Sequence, residues 1–108
     1  MSGILSRTLL VGATDTLVYT VPASQIASLT VSVCNQSPSA DARINMALTS
    51  NTIASMTANS YIEFNSILPP SGVLERSAIV LEAGNTIRVS STNSNTSVVV
   101  FGIEESAT

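Results

Sequence analysis

Carboxylates are the most numerous titratable side chains in this sequence, with seven acidic residues in 108. A pair of carboxylates about 5–10 Å apart can hydrolyse a glycosidic bond, one as acid and one as nucleophile or base. The candidates are Glu63, Glu75, Glu82, Glu104 and Glu105. Each falls on a strand face or at a strand end in the pattern described below, as ordinary solvated residues do. We therefore predict no catalytic pair and no enzymatic activity.

Nucleophiles and metal ligands are scarce, because the chain has one cysteine, Cys34, and no histidine. A cysteine nucleophile of the papain type requires a histidine partner. Zinc, copper and haem sites would have to be built from one cysteine and carboxylates, which is a poor set of ligands. We predict no metal and no other cofactor. Cys34 is expected to be a small side chain on the less buried face of a strand.

The basic residues are too few for a nucleic-acid surface. Four arginines stand against seven acidic residues, which gives a net charge of −3. Because contacts to phosphate supply most of the affinity for nucleic acid, we expect no binding to DNA or RNA. No apolar run approaches the roughly 20 residues that span a bilayer, so we expect no membrane insertion either.

The composition favours a protein that assembles with others. The chain is 44% hydrophobic and only 10% charged, whereas about 25% of the residues in ordinary soluble domains are charged. A surface with so few charges can contact a neighbour without removing many ions from water.

Strand signals recur along the chain and helical periodicity is absent. Two segments, 29–33 and 44–48, alternate clearly, and we expect their apolar faces to oppose or neighbour each other in the core. Further strands are predicted at 4–11, 16–21, 61–66, 73–81, 87–90 and 97–103, with a long connection at 50–60. About eight short strands separated by turns predict a single all-β antiparallel sandwich, with jelly-roll or Greek-key topology.

The N-terminal segment is the candidate for contacts between molecules. We divide the chain into a strand or arm at 1–13 and a β-sandwich domain at 14–108. An apolar terminal strand without lysine or proline is suited to pairing with a sheet edge on a neighbour. The alternative is an ordinary first strand in its own subunit. The candidate assembly contacts are Ile4, Leu5, Arg7, Leu9 and Leu10.

Several segments occur in a familiar order. Leu17-Val-Tyr-Thr-Val-Pro22 precedes a strand that ends at Cys34-Asn35, and Leu68-Pro-Pro-Ser-Gly-Val-Leu-Glu-Arg76 follows. Leu81-Glu-Ala-Gly84 and Gly102-Ile-Glu-Glu105 come last. This order, over residues 14–105, resembles that of small structural proteins of tailed bacteriophages.

The resemblance implies a virion protein without enzymatic activity, made in the cytoplasm of the bacterial host. We expect a capsid decoration (cement) protein that binds the major capsid protein or another virion protein, and a homotrimer, as many decoration proteins are. The alternatives are a neck, tail or baseplate component, a fibre adaptor, or a carbohydrate-binding module.

Overall fold

The computed structural model describes residues 2–12, 14–50 and 60–106, and these contain eight strands and no helix. The strands are β1 (Ser2–Leu9), β2 (Thr16–Thr20), β3 (Gln25–Asn35), β4 (Ala42–Ser50), β5 (Tyr61–Leu68), β6 (Val73–Glu82), β7 (Asn85–Ser91) and β8 (Thr96–Ser106). The all-β prediction is confirmed. The connection predicted at 50–60 lies, apart from its two end residues, outside the described residues. The described part of the chain holds no helix that could cross a membrane.

The strands form two four-stranded antiparallel sheets. The first sheet has the order β1-β8-β3-β6 and the second has the order β2-β7-β4-β5. The pairs β1–β8, β2–β7, β3–β6 and β4–β5 are nested, as in a long hairpin folded over on itself. This nesting is the strand order of a jelly roll, one of the two predicted topologies.

The core lies between the two sheets, and the two best alternating segments contribute to it from opposite sides. Leu29, Val31 and Val33 of β3 are buried, as are Ile44 and Met46 of β4. This confirms the prediction that the two apolar faces oppose or neighbour each other in one core. Leu48 is only partly buried and packs against the edge of the core.

Irregular backbone interrupts the alternation of buried and exposed positions in β5 and β6. Asn65 and Ala78 have positive φ angles of 54° and 59°. In β6, Leu74 is partly buried while Ile79 and Leu81 are buried, so the inward positions change from even to odd numbers. The pairing of β3 with β6 shifts its register between Leu29 and Val31, as it does around an extra residue in a β-bulge.

Residues 2–9 form the first strand of their own sheet. β1 pairs with β8 from Ser2 opposite Ile103 to Leu9 opposite Ser97. Of the two alternatives for the N-terminal segment, the structure shows the strand within its own subunit. β1 is nevertheless an edge strand, since its other side has no partner among the described strands.

A glycine allows β8 to approach β3 closely. Gly102 lies opposite Leu29 with φ +151°, a conformation that side chains disfavour. A Cβ atom placed on Gly102 would lie 2.1 Å from the carbonyl oxygen of Ser28. The close approach is therefore possible only with glycine at this position.

Candidate assembly surface

The outward side of the first sheet, which we call the outer face, carries a row of bulky side chains along β8. Val98 and Val100 are buried, and the residues that alternate with them point outward. These are Val99, Phe101 and Ile103. We call them the ridge.

The neighbouring strand β3 carries small side chains on the same face. Leu29, Val31 and Val33 point into the core, so the residues between them point outward. The register places Ser28 opposite Ile103, Thr30 opposite Phe101 and Ser32 opposite Val99. We call these small residues the trough, because each lies beside a bulkier member of the ridge.

The two edge strands add exposed aliphatic residues on both sides of the ridge and trough. On β1, Ile4 is 61% exposed and Leu9 is 64% exposed. On β6, Val73 and Val80 are 59% and 66% exposed. Exposed aliphatic side chains therefore lie at both edges of one sheet face, which is more typical of a contact surface than of a surface facing water.

The charges on the outer face are few, and two of them lie in one row. Arg7 pairs with Val99, Val99 with Ser32, and Ser32 with Glu75, so the row crosses the sheet from one edge to the other. Both charged side chains are exposed, and neither forms an ion pair or side-chain hydrogen bond within the described part of the chain. Glu82 and Glu105 flank Ile26 at one end of the face.

The outward side of the second sheet is different, because its polar side chains bind one another. The hydroxyls of Thr49 and Thr86 are 2.5 Å apart and both residues are buried. Asn45 Nδ2 donates to Ser90 Oγ over 3.2 Å. The Arg88 guanidinium contacts the Asp15 carboxylate at 3.3 Å.

The five predicted contact residues of β1 and the residue after it divide between the outer face and the core. Ile4, Arg7 and Leu9 lie on the outer face. Leu5 is partly buried against the core, and Leu10 is 2% exposed within it. Leu10 therefore stabilises its own subunit and is not available to a partner.

Sequence reasoning missed the ridge and the exposed residues of β6. The run Val98-Val-Val-Phe101 is apolar at every position, so it gives no indication of which members face outward. Only the register with β3 shows that Val99 and Phe101 lie beside Ser32 and Thr30.

Several candidate catalytic residues have structural partners. Glu63 Oε2 accepts from Arg76 over 2.9 Å, and Ser66 donates to its other oxygen. Glu104 accepts from the Tyr19 hydroxyl, which links β8 of the first sheet to β2 of the second. Burial, and then Glu104, raises the pKa of Tyr19 well above its usual value.

The described residues contain no group of three histidine, cysteine or acidic side chains arranged to hold a metal ion. Cys34 is a partly buried free thiol on the outer face, beside Ser97.

No protein-family model and no curated protein matches this sequence.

Proposed function

We propose that the protein is a non-enzymatic structural component of a bacteriophage virion, and specifically a decoration protein on the outside of the major capsid lattice. The observation that carries this proposal is the outer face, with its ridge, its exposed aliphatic edges and its few charges. A face of this kind binds other protein surfaces more readily than it binds small polar molecules.

The jelly-roll order adds support by analogy, because this architecture occurs in viral capsid proteins and in lectins. Since a fold hosts many functions, the analogy alone does not decide between them. The order of segments that resembles small phage proteins favours the virion.

Decoration would work through many weak contacts. Each copy contributes a modest interface, and repetition across a lattice makes the total binding strong. A cemented lattice resists the outward pressure of the packaged DNA. Few charged residues suit such contacts, because few ions have to leave water when the interface forms.

A neck, tail or baseplate component would use the same kind of surface and is the second candidate. A carbohydrate-binding module has less support. The exposed Phe64 packs against Tyr61 with the ring planes at 72°, so the two rings do not form one flat platform for a sugar.

Copy number in purified virions tests the proposal. Quantitative mass spectrometry against the major capsid protein should give hundreds of copies per particle. A small multiple of three or six would instead assign the protein to the neck or tail. Absence from virions would overturn the proposal of a virion protein.

A reconstitution measures the cementing activity itself. Capsids from a phage lacking the gene are mixed with purified protein and heated while DNA release is followed. Bound protein should raise the release temperature, with Leu29→Ala protein as an unstable control. If the wild-type protein binds the capsids without raising that temperature, it is not a cement protein.

A further inference from the structure

We propose that two copies of this chain pack outer face against outer face, about a two-fold axis parallel to the strands of the first sheet. In this dimer Arg7 of each copy lies opposite Glu75 of the other. The inference concerns how the chain associates with itself in solution, as a dimer and not as the homotrimer that the resemblance implies. Because a capsid would bind the same outer face, the dimer and the capsid lattice compete for it.

The positions of two opposite charges on the outer face favour this dimer. Arg7 and Glu75 lie in the same row on opposite edge strands. Neighbouring strands are about 4.8 Å apart, so the backbones of the two edge strands are about 14 Å apart. A two-fold axis between β8 and β3 exchanges β1 with β6. It therefore brings each arginine over the carboxylate of the second copy, which gives two ion pairs for each dimer.

The shape of the outer face favours the same axis, independently of the charges. The same axis exchanges β8 with β3, so it places the ridge of each copy over the trough of the other. Phe101 would lie over Thr30, and Val99 over Ser32. Large residues facing small ones allow two sheets to interdigitate at the usual separation of about 10 Å.

A two-fold axis in the other direction gives neither charge complementarity nor shape complementarity. A two-fold axis along the row, perpendicular to the strands, leaves every strand facing itself. Arg7 would then face Arg7, Glu75 would face Glu75, and the ridge would collide with the ridge. Like charges opposite each other are unfavourable, so the pattern selects the parallel axis.

The area of the outer face determines how strong a dimer we expect. Four strands are about 19 Å wide, and the row of Ser2 lies about 20 Å from the row of Leu9, because their partners Ile103 and Ser97 are six residues apart at about 3.4 Å each. Two such faces cover roughly 760 Å² in projection and somewhat more as a corrugated surface. About 1000 Å² is the lower bound for a specific interface. We therefore expect a reversible dimer rather than a permanent one.

The complementarity identifies a second copy as the occupant. Positive matches negative, and ridge matches trough, within one and the same face. An unrelated partner would not require the two halves of the face to match each other.

Charge reversal provides the main test. Sedimentation equilibrium should show a concentration-dependent dimer for the wild type. Arg7→Glu and Glu75→Arg should each weaken dimerisation at least tenfold, because each variant places like charges opposite each other twice. Arg43→Glu is the matched control, since Arg43 is an exposed arginine on the second sheet. It should dimerise as the wild type does.

Two restorations separate this arrangement from a general effect of charge. The double variant Arg7→Glu/Glu75→Arg should recover dimerisation to within about threefold of the wild type. Mixing the two single variants should give a heterodimer, because in that mixture every carboxylate of the row faces an arginine. A failure of both restorations would overturn the proposed axis.

An aliphatic pair tests the apolar part of the face. Val73 and Ile67 are both 59% exposed, but Val73 lies on the outer face and Ile67 on the second sheet. Val73→Asp should abolish dimerisation and Ile67→Asp should leave it unchanged, with thermal melts confirming that both variants are folded.

The remaining outcomes are informative about both proposals. A monomer at every concentration, or a trimer insensitive to Arg7→Glu, would overturn the dimer. A monomer that binds capsids through the outer face would overturn the dimer but leave the virion proposal standing. A dimer that is absent from virions would confirm the self-association and overturn the virion proposal.

Discussion

The outward sides of the two sheets differ in how their polar side chains find partners. On the second sheet the polar side chains satisfy one another, as Thr49 does with Thr86 and Asn45 does with Ser90. On the first sheet, serine and threonine lie beside an apolar ridge, and Arg7 and Glu75 have no ionic partner within the described residues.

The difference assigns the stability of one chain to the second sheet and association between chains to the outer face. Hydrogen bonds on the outward side of the second sheet stabilise one chain, whereas Arg7 and Glu75 on the outer face form no ion pair with another described residue and are exposed to a partner. We therefore expect substitutions on the first outer face to change binding and those on the second to change the free energy of unfolding.

The largest expected change in the free energy of unfolding compares the two sides of β3. Leu29→Ala removes a buried leucine that is 1% exposed, and should lower the free energy of unfolding by about 2–5 kcal/mol. Ile26→Ala on the outward side of the same strand should cost less than about 1 kcal/mol. Urea denaturation of the two variants, at a concentration at which both are monomeric, measures both values. Similar losses would show that the outer face is part of the core.

A threonine pair compares the two outer faces directly. Thr49→Val removes a hydroxyl that is bonded to Thr86 and buried, and should cost about 1–2 kcal/mol. Thr30→Val removes a hydroxyl from the trough, and we expect a change within about 0.5 kcal/mol. Equal losses in denaturation would contradict the division between the faces.

The smallest effect concerns Tyr19, which joins the two sheets through Glu104. Its pKa is raised in the folded protein, so the folded state keeps the phenol proton that the unfolded chain releases above about pH 10. The unfolded state then binds fewer protons, and stability falls as the pH rises, by at most about 1.4 kcal/mol for each pH unit.

Tyr19→Phe removes the titrating group, so this variant should lose less stability between pH 9 and pH 11 than the wild type does. Parallel slopes in urea denaturation at these pH values would show that Tyr19 does not control the alkaline stability.

Alternation predicted the fold where the strands are regular. Leu29, Val31 and Val33 alternate with small residues, and this pattern alone places them in the core. No single alternation runs through β6, because Ala78 adopts a positive φ angle that nothing in an alanine side chain favours. A local backbone irregularity of this kind depends on tertiary pairing with β3, which the sequence does not display.

The outer face could be predicted only in part, for a similar reason. Ile4 and Leu9 are visible in the sequence as apolar residues of an N-terminal strand. Arg7 and Glu75 are far apart in the chain, and only the intervening β8 and β3 bring them into one row. The charge complementarity is thus a property of the register and not of any segment.

The position of β8 between β1 and β3 has a consequence for the timing of folding during synthesis. Of the eight strands, the ribosome makes β1 first and β8 last. β1 therefore cannot pair with β8 until the six strands between them have been made. The ridge belongs wholly to β8. Nascent chains side by side on one messenger RNA therefore cannot form the outer face early, and association is delayed until each chain has completed its own first sheet.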